Sequence, residues 1–167
     1  MLKKSLVLLL LFFIPRIHLA QNCAVTYTNL NTSFQSKGTS CIGDFNSDGK
    51  IDIVFLTSSG NNLFAQAGPG TFSTIATPTT STYPCGAVSG DFNNDGNLDF
   101  IDLNTSPLKI NFGLGNGTFT TYISNQNGSQ AADAVAKDFN SDGNLDLIYI
   151  SQTIGGLFVL LGNGNGN

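Results

Sequence analysis

Asp44-Phe-Asn-Ser-Asp-Gly-Lys-Ile-Asp52 is the first of three copies of one nine-residue pattern in the 167-residue chain. The later copies are Asp91-Phe-Asn-Asn-Asp-Gly-Asn-Leu-Asp99 and Asp138-Phe-Asn-Ser-Asp-Gly-Asn-Leu-Asp146, and successive copies start 47 residues apart. A second marker, rich in glycine, aligns at the same interval at Gly68, Gly115 and Gly162. Two markers in one register, with a period of roughly 20–50 residues, predict an array of repeated structural units.

The residue pattern within each 47-residue repeat predicts β-strands. Short β-branched and aromatic runs follow position 9, and turn residues bound them. Further strands are predicted at 62–67, 108–113 and 156–161, at 71–77 and 118–123, and at 85–92 and 132–139. Four short antiparallel strands per period are typical of a propeller blade. The predicted fold is all-β, a partial β-propeller of about three four-stranded blades, in which the recurring Phe45, Phe92 and Phe139 pack between blades.

The nine-residue pattern places oxygen atoms where a tight turn brings them together. Positions 1, 3 and 5 carry carboxylate or amide oxygens, glycine at 6 permits the bend, a main-chain carbonyl at 7 adds an oxygen, and aspartate at 9 closes the cage. Such hard ligands in a flexible cage favour Ca²⁺ over Mg²⁺ or a transition metal. The alternative is a hydrogen-bonded turn with a solvated charge cluster. An EF-hand is excluded because strands follow, and position 12 is never glutamate.

The sequence therefore predicts calcium loops at 44–52, 91–99 and 138–146, which together hold about three Ca²⁺ ions. The predicted metal ligands are Asp44, Asn46, Asp48, Lys50, Asp52, Asp91, Asn93, Asp95, Asn97, Asp99, Asp138, Asn140, Asp142, Asn144 and Asp146.

The three loops, with their glycine-rich turns, resemble FG-GAP/VCBS-type repeats, the blade units of integrin α-subunit-like propellers. The motifs are DFNSDGKIDIVF, GDFNNDGNLDFIDL and KDFNSDGNLDLIYI, and the likeness runs from about residue 24 to 167. The resemblance implies calcium loops on one face of a propeller and partner-binding loops usually on the other. Because full propellers of this type have about seven blades, we expect an N-terminal fragment, incomplete at its C-terminus, with further blades in a longer chain.

Residues 1–20 have the layout of a secretory signal peptide. Lys3 and Lys4 precede an apolar run at 6–14, and a polar stretch starts at Gln21. The remaining 21–167 carry four lysines against eleven aspartates, a net charge of −7, with no histidine or glutamate. That composition lacks the basic surface of a nucleic-acid-binding protein, and no membrane span remains after signal removal. We expect a secreted or cell-surface protein.

The cysteines are Cys23, Cys41 and Cys85. In an oxidising compartment a disulfide between Cys23 and Cys41 is one interpretation, and small buried side chains on strands is the other. The spacing fits no zinc motif.

No catalytic constellation is visible after residue 20. The commonest general base, histidine, is missing, and so is any Ser-His-Asp arrangement. The two aspartates outside the loops are Asp133 and Asp102, and strand alternation predicts that Asp102 faces solvent. We predict a module that is not an enzyme and acts in extracellular binding or adhesion, with a protein or glycan partner. The alternatives are a non-catalytic accessory part of a larger secreted polysaccharide-degrading enzyme and a structural surface spacer.

Overall fold

The fold is known from a computed structural model, which describes residues 38–57, 60–68, 71–76, 86–103, 105–124 and 131–166. All of them belong to one compact unit, residues 31–167. The predicted signal peptide, Cys23 and Cys85 lie outside the described residues. Within the described ranges the regular secondary structure consists of β-strands joined by turns and loops. No helix in these ranges is long and apolar enough to cross a membrane.

In the described part of the chain, eleven strands form three antiparallel sheets, and the strands of each sheet follow chain order. Sheet 1 contains β1 (Gly38–Gly43), β2 (Asp52–Thr57), β3 (Gly60–Gly68) and β4 (Thr71–Ala76). Sheet 2 contains β5 (Ala87–Gly90), β6 (Asp99–Asp102), β7 (Lys109–Gly113) and β8 (Phe119–Ile123). Sheet 3 contains β9 (Ala131–Lys137), β10 (Asp146–Ser151) and β11 (Leu157–Leu160). The all-β fold with unclosed, blade-like sheets is confirmed.

The acidic pattern connects the first two strands of every sheet. Gly43 pairs with Asp52, Gly90 with Asp99 and Lys137 with Asp146, so each pattern forms the loop of a hairpin. The strand predicted at 85–92 therefore begins sheet 2, and it does not complete sheet 1. The three connections are called loop 1 (44–52), loop 2 (91–99) and loop 3 (138–146) below. Because antiparallel neighbours reverse direction, all three loops lie at the same end of their own sheets.

Sheets 1 and 2 bury an apolar cluster between them. Val54, Leu56 and Leu63 of sheet 1 are fully buried and pack in one cluster with Phe100 and Phe119 of sheet 2. Phe45 of loop 1 joins these two rings in edge-to-face contacts, with centroids 6.5 and 5.7 Å away. Aromatic pairs of this geometry stabilise a core beyond the area that they bury.

Sheets 2 and 3 repeat the arrangement. Phe92 of loop 2 and Ile101 of sheet 2 cluster with Leu147 and Tyr149 of sheet 3, and all four are buried. The predicted packing of the recurring phenylalanines is thus confirmed for Phe45 and Phe92.

Phe139 departs from that prediction. Its side chain is 44% exposed, against 1% for Phe45 and 7% for Phe92. In the first two copies the following sheet covers the ring, and among the described residues no sheet follows the third. The position of a phenylalanine in the repeat therefore does not by itself determine whether its ring is buried.

The alignment of the glycine marker is wrong in the third copy. In sheet 2, Asp102 pairs with Lys109, seven residues on, whereas the equivalent Tyr149 pairs with Phe158, nine residues on. The β10–β11 connection is therefore two residues longer than its counterpart. As a result Gly162 matches Gly113, since each donates its backbone N–H to the aspartate at position 9 of its loop. It does not match Gly115.

Candidate metal centre

Loop 1 is organised by its own acidic side chains. Asp44 accepts backbone N–H bonds from Asp48 (3.0 Å) and Gly49 (2.8 Å) with its two carboxylate oxygens. Asn46 Oδ1 accepts the Asp48 N–H at 3.1 Å, and Asp48 Oδ1 accepts the Lys50 N–H at 3.0 Å. Positions 1, 3 and 5 therefore each direct an oxygen towards backbone N–H groups of the turn, while the Asp48 side chain remains exposed.

Loops 2 and 3 repeat this pattern bond for bond. Asp91 accepts from Asp95 and Gly96 at 3.1 and 2.9 Å, and Asp138 accepts from Asp142 and Gly143 at 3.2 and 2.9 Å. The bonds to Asn93, Asp95, Asn140 and Asp142 match those of Asn46 and Asp48, at 2.8–3.1 Å. One sequence pattern thus produces one local structure three times.

The backbone of each loop contains two residues in the left-handed region. Position 6 is Gly49, Gly96 or Gly143, with φ of +80°, +87° and +88°. Position 4 is Ser47, Asn94 or Ser141, with φ of +57°, +56° and +64°. Left-handed residues next to right-handed ones turn successive N–H groups towards one side. Here that side holds the position-1 carboxylate.

The glycine at position 6 is a conformational requirement. A Cβ on Gly96 meets no atom within 4 Å, so a change to alanine tests the backbone alone. We expect Gly96→Ala to lower the free energy of unfolding by about 1–2 kcal/mol, because a left-handed φ is costly for any residue with a Cβ. Ser141→Gly is the matched control and should be neutral or slightly stabilising. Urea denaturation of both variants measures the difference, and an unchanged Gly96→Ala would contradict the requirement.

The aspartate at position 9 has a structural role that sequence reasoning missed. Asp52, Asp99 and Asp146 are fully buried. Asp99 Oδ2 accepts the Phe92 N–H at 2.8 Å, and its Oδ1 accepts the Gly113 N–H at 2.9 Å. Asp52 and Asp146 make the equivalent pairs of bonds, to Phe45 and Gln66 and to Phe139 and Gly162. Each position-9 carboxylate therefore ties its loop to the third strand or the turn after it.

The environments of the aspartates differ. The side-chain bond from Lys50 lowers the pKa of Asp48, whereas backbone N–H bonds from Asn97 and Asn144 lower the pKa of Asp95 and Asp142. Burial instead raises the pKa of Asp99 to about 6, against the two amide bonds that it accepts. Position 5 is thus kept ionised near neutral pH, and a charged position 9 is costly in sheet 2.

Position 5 also binds a donor in every loop. Lys50 Nζ lies 2.7 Å from Asp48 Oδ2. In loops 2 and 3 the amide nitrogens of Asn93 and Asn140 take this place, each 2.9 Å from the Oδ2 of Asp95 or Asp142. The Lys50 side chain therefore neutralises part of loop 1, while its predicted ligand atom is the backbone carbonyl.

The donor chemistry of each loop fits Ca²⁺. Within the described residues no three Asp, Cys or His side chains are grouped so as to hold a metal ion by themselves. An ion in a loop would therefore rely on the carboxylates at 1 and 5, the amide oxygen at 3 and the carbonyl at 7, with water completing the shell. Ca²⁺ accepts mixed carboxylate, carbonyl and water ligands. The ligand set, position 9 included, stays a prediction.

Two other predicted residues are placed by the structure. Asp102 is fully buried on β6, and the prediction that it faces solvent is wrong, because sheet 2 is covered on both faces. Cys41 is a buried free thiol in the described part of the chain, and burial raises its pKa to about 12. The predicted bridge to Cys23 involves a residue outside the described ranges and stays a prediction.

Comparisons with known proteins bear on the repeat and on the fold. A family model for the FG-GAP-like repeat matches residues 44–102 and 91–149, so the three acidic loops begin or end its matched units. Among solved structures, the chain is similar to an Agrocybe aegerita lectin that was studied for specific recognition of non-reducing terminal N-acetylglucosamine. The identity is 18% and the TM-score 0.60, over 80% of this chain and 37% of the lectin chain. That likeness shows the fold alone. A comparison with curated proteins found no match.

Proposed function

Because the chain belongs to the FG-GAP-like repeat family, whose repeats are non-catalytic modules, we propose that it is a calcium-binding module that recognises an extracellular glycan. The single observation that carries the calcium part of this proposal is the threefold recurrence of one loop structure, in which oxygens at positions 1, 3 and 5 accept backbone N–H groups of the same turn. The position-5 carboxylate accepts only one backbone N–H in each loop, a bond that asparagine can also accept, so the turn itself does not require a charge there. A divalent cation bound in the loop would neutralise the acidic charges that the turn itself does not need.

The role of calcium in this proposal is to hold the loop end of each sheet in one conformation. Each loop carries three carboxylates within nine residues, and like charges this close destabilise the compact state. Binding of an ion by the folded loops alone stabilises them by mass action. A surface whose loops are fixed before the partner arrives loses less conformational entropy on binding.

The choice of a glycan over a protein partner is supported by the similarity to the Agrocybe aegerita lectin. The chain spans about 37% of that protein, so its sugar specificity is a proposal when carried over to this chain. Secretion or display at the cell surface is proposed from residues 1–20 and from the acidic composition. An accessory part of a polysaccharide-degrading enzyme would also bind glycan, whereas a surface spacer would not.

We expect the purified chain to bind immobilised glycans that end in N-acetylglucosamine more tightly in millimolar Ca²⁺ than in chelator. Glycans of the same length that end in galactose are the control for sugar specificity. Biolayer interferometry measures both, at matched ionic strength. Equal signals for the two glycans would contradict the preference for N-acetylglucosamine, and no signal with either would contradict the glycan assignment. If the chain bound calcium but neither glycan, the remaining hypotheses would be a protein partner and a structural surface spacer.

A further inference from the structure

One hydrogen bond joins loops 2 and 3. Asn94 Nδ2 donates to Asn144 Oδ1 at 2.8 Å, across 50 residues of sequence. Asn94 is at position 4 of loop 2, and Asn144 is at position 7 of loop 3, whose backbone carbonyl is a predicted calcium ligand. The bond therefore joins a side chain at the tip of loop 2 to the side chain of a predicted ligand residue in loop 3.

The orientation of Asn94 depends on the conformation of loop 2. Its φ of +56° is uncommon for a residue other than glycine. The following residues, Asp95 and Gly96, hold it there by donating their N–H groups to Asp91 at 3.1 and 2.9 Å. An ion that fixes Asp91 and Asp95 would fix the side chain between them as well.

Asn144 is held from two sides. Its backbone N–H donates to Asp142 Oδ1 at 2.8 Å, while its side chain accepts the bond from Asn94. Gly164, with a φ of +74°, lies against both amides, and a Cβ there would collide with each of them. The turn after β11 thus leaves room for this contact, which keeps the two amides in register.

We propose that Asn94 and Asn144 are positioning residues that couple the two calcium sites, so that an ion in loop 2 raises the affinity of loop 3, and the reverse. The inference rests on the proposed calcium function. Its basis is that one side-chain bond connects the turn that an ion orders to the side chain of Asn144, the residue whose backbone carbonyl is a predicted ligand of the second ion. Coupling between binding sites is reciprocal, so both loops gain by the same factor.

The junction between loops 1 and 2 lacks this bond. Position 4 of loop 1 is Ser47, whose shorter side chain lies near Gly115 together with the amide of Asn97. Among the described residues no hydrogen bond joins Ser47 to Asn97. Loop 1 is therefore expected to bind its ion independently of loop 2, which makes Ser47 a matched control position.

A double-mutant cycle tests the coupling. Asn94→Gly removes the donor without straining the left-handed backbone, Asn144→Ala removes the acceptor, and the third variant combines them. Each single change should lower the affinity of both loops for Ca²⁺ about fivefold, the usual net worth of one hydrogen bond. The double variant should lose no more than either single variant, and Ser47→Gly should leave loops 2 and 3 unchanged.

The measurement is a Ca²⁺ titration followed by NMR of the backbone amide signals of Gly96 and Gly143, which report on each loop separately. If Asn94→Gly binds like the unchanged protein, or if the two single effects add, the coupling is refuted while calcium binding stands. If the unchanged protein shows no shift up to about 10 mM Ca²⁺, well above the affinity range of extracellular modules, the proposed calcium function itself fails. The inference is supported if each single variant loses about fivefold in Ca²⁺ affinity and the double variant loses no more than either.

Discussion

We expect the melting temperature of the chain to fall by about 8–30 °C when 10 mM Ca²⁺ is replaced by excess chelator. Extracellular calcium modules bind with dissociation constants of about 10⁻⁴–10⁻³ M. At about 10 mM free ion each filled loop then stabilises the folded state by about 1.4–2.7 kcal/mol. Three loops together give about 4–8 kcal/mol, and each kcal/mol corresponds to about 2–4 °C in a chain of this size. Differential scanning calorimetry in the two buffers measures the shift.

A position-5 variant provides the control for the chelation experiment. Asp48, Asp95 and Asp142 are exposed, so replacing all three by asparagine should change the stability in chelator little. The same variant should lose most of the calcium-dependent rise, because a carboxylate is removed from every loop. Mg²⁺ at equal concentration should give a small shift, since it is reluctant to give up its water. Equal melting temperatures with and without calcium would contradict the proposed metal centre.

We expect Asp99→Ala to lower the free energy of unfolding by about 4 kcal/mol even in chelator. The change leaves two buried backbone N–H groups, those of Phe92 and Gly113, without their acceptor. An unsatisfied buried donor costs about 1–3 kcal/mol. Asp95→Ala, in the same loop but exposed, should cost much less. Urea denaturation in chelator separates this structural role from any role in metal binding, and equal losses for the two variants would contradict it.

The same carboxyl gives a pH signature. Since burial raises the pKa of Asp99 to about 6, above its ordinary value of 3.8, the folded protein binds the proton more tightly than the unfolded chain does. The contribution of this group to stability is therefore fully present below about pH 4 and is lost as the pH rises through about 6. Asp99→Asn should flatten the pH dependence of stability in this window, measured in chelator.

Local features of the fold were predictable from the sequence, and long-range ones were not. The strands and the three loops follow from turn residues and β-branched runs within a few positions of one another, and the structure confirms them. The exposure of Phe139 and the burial of Asp102 depend on whether another sheet covers them, which no local pattern encodes. The bonds of Asp99 and Asn94 reach partners 14 and 50 residues away.

Sequence reasoning also missed the two-residue shift in sheet 3, for a related reason. The glycines at 113, 115 and 162 look alike in the sequence, and only strand pairing distinguishes them. Asparagine at position 4 was one signal that was available for the loop contact, because a left-handed position is often occupied by asparagine, which can also hydrogen-bond. Its partner, however, becomes evident only when the sheets are stacked.

The longer β10–β11 connection indicates that the two ends of a sheet differ in how well they tolerate insertions. It lies at the end of sheet 3 opposite loop 3, and the nine-residue spacing of the acidic loop is the same in all three copies. Insertions at that far end leave the aspartates where they are, whereas an insertion in the acidic turn would move an oxygen out of reach. A module of this design can therefore accept longer connections at the far end of its sheets while the end that carries the acidic loops keeps its dimensions.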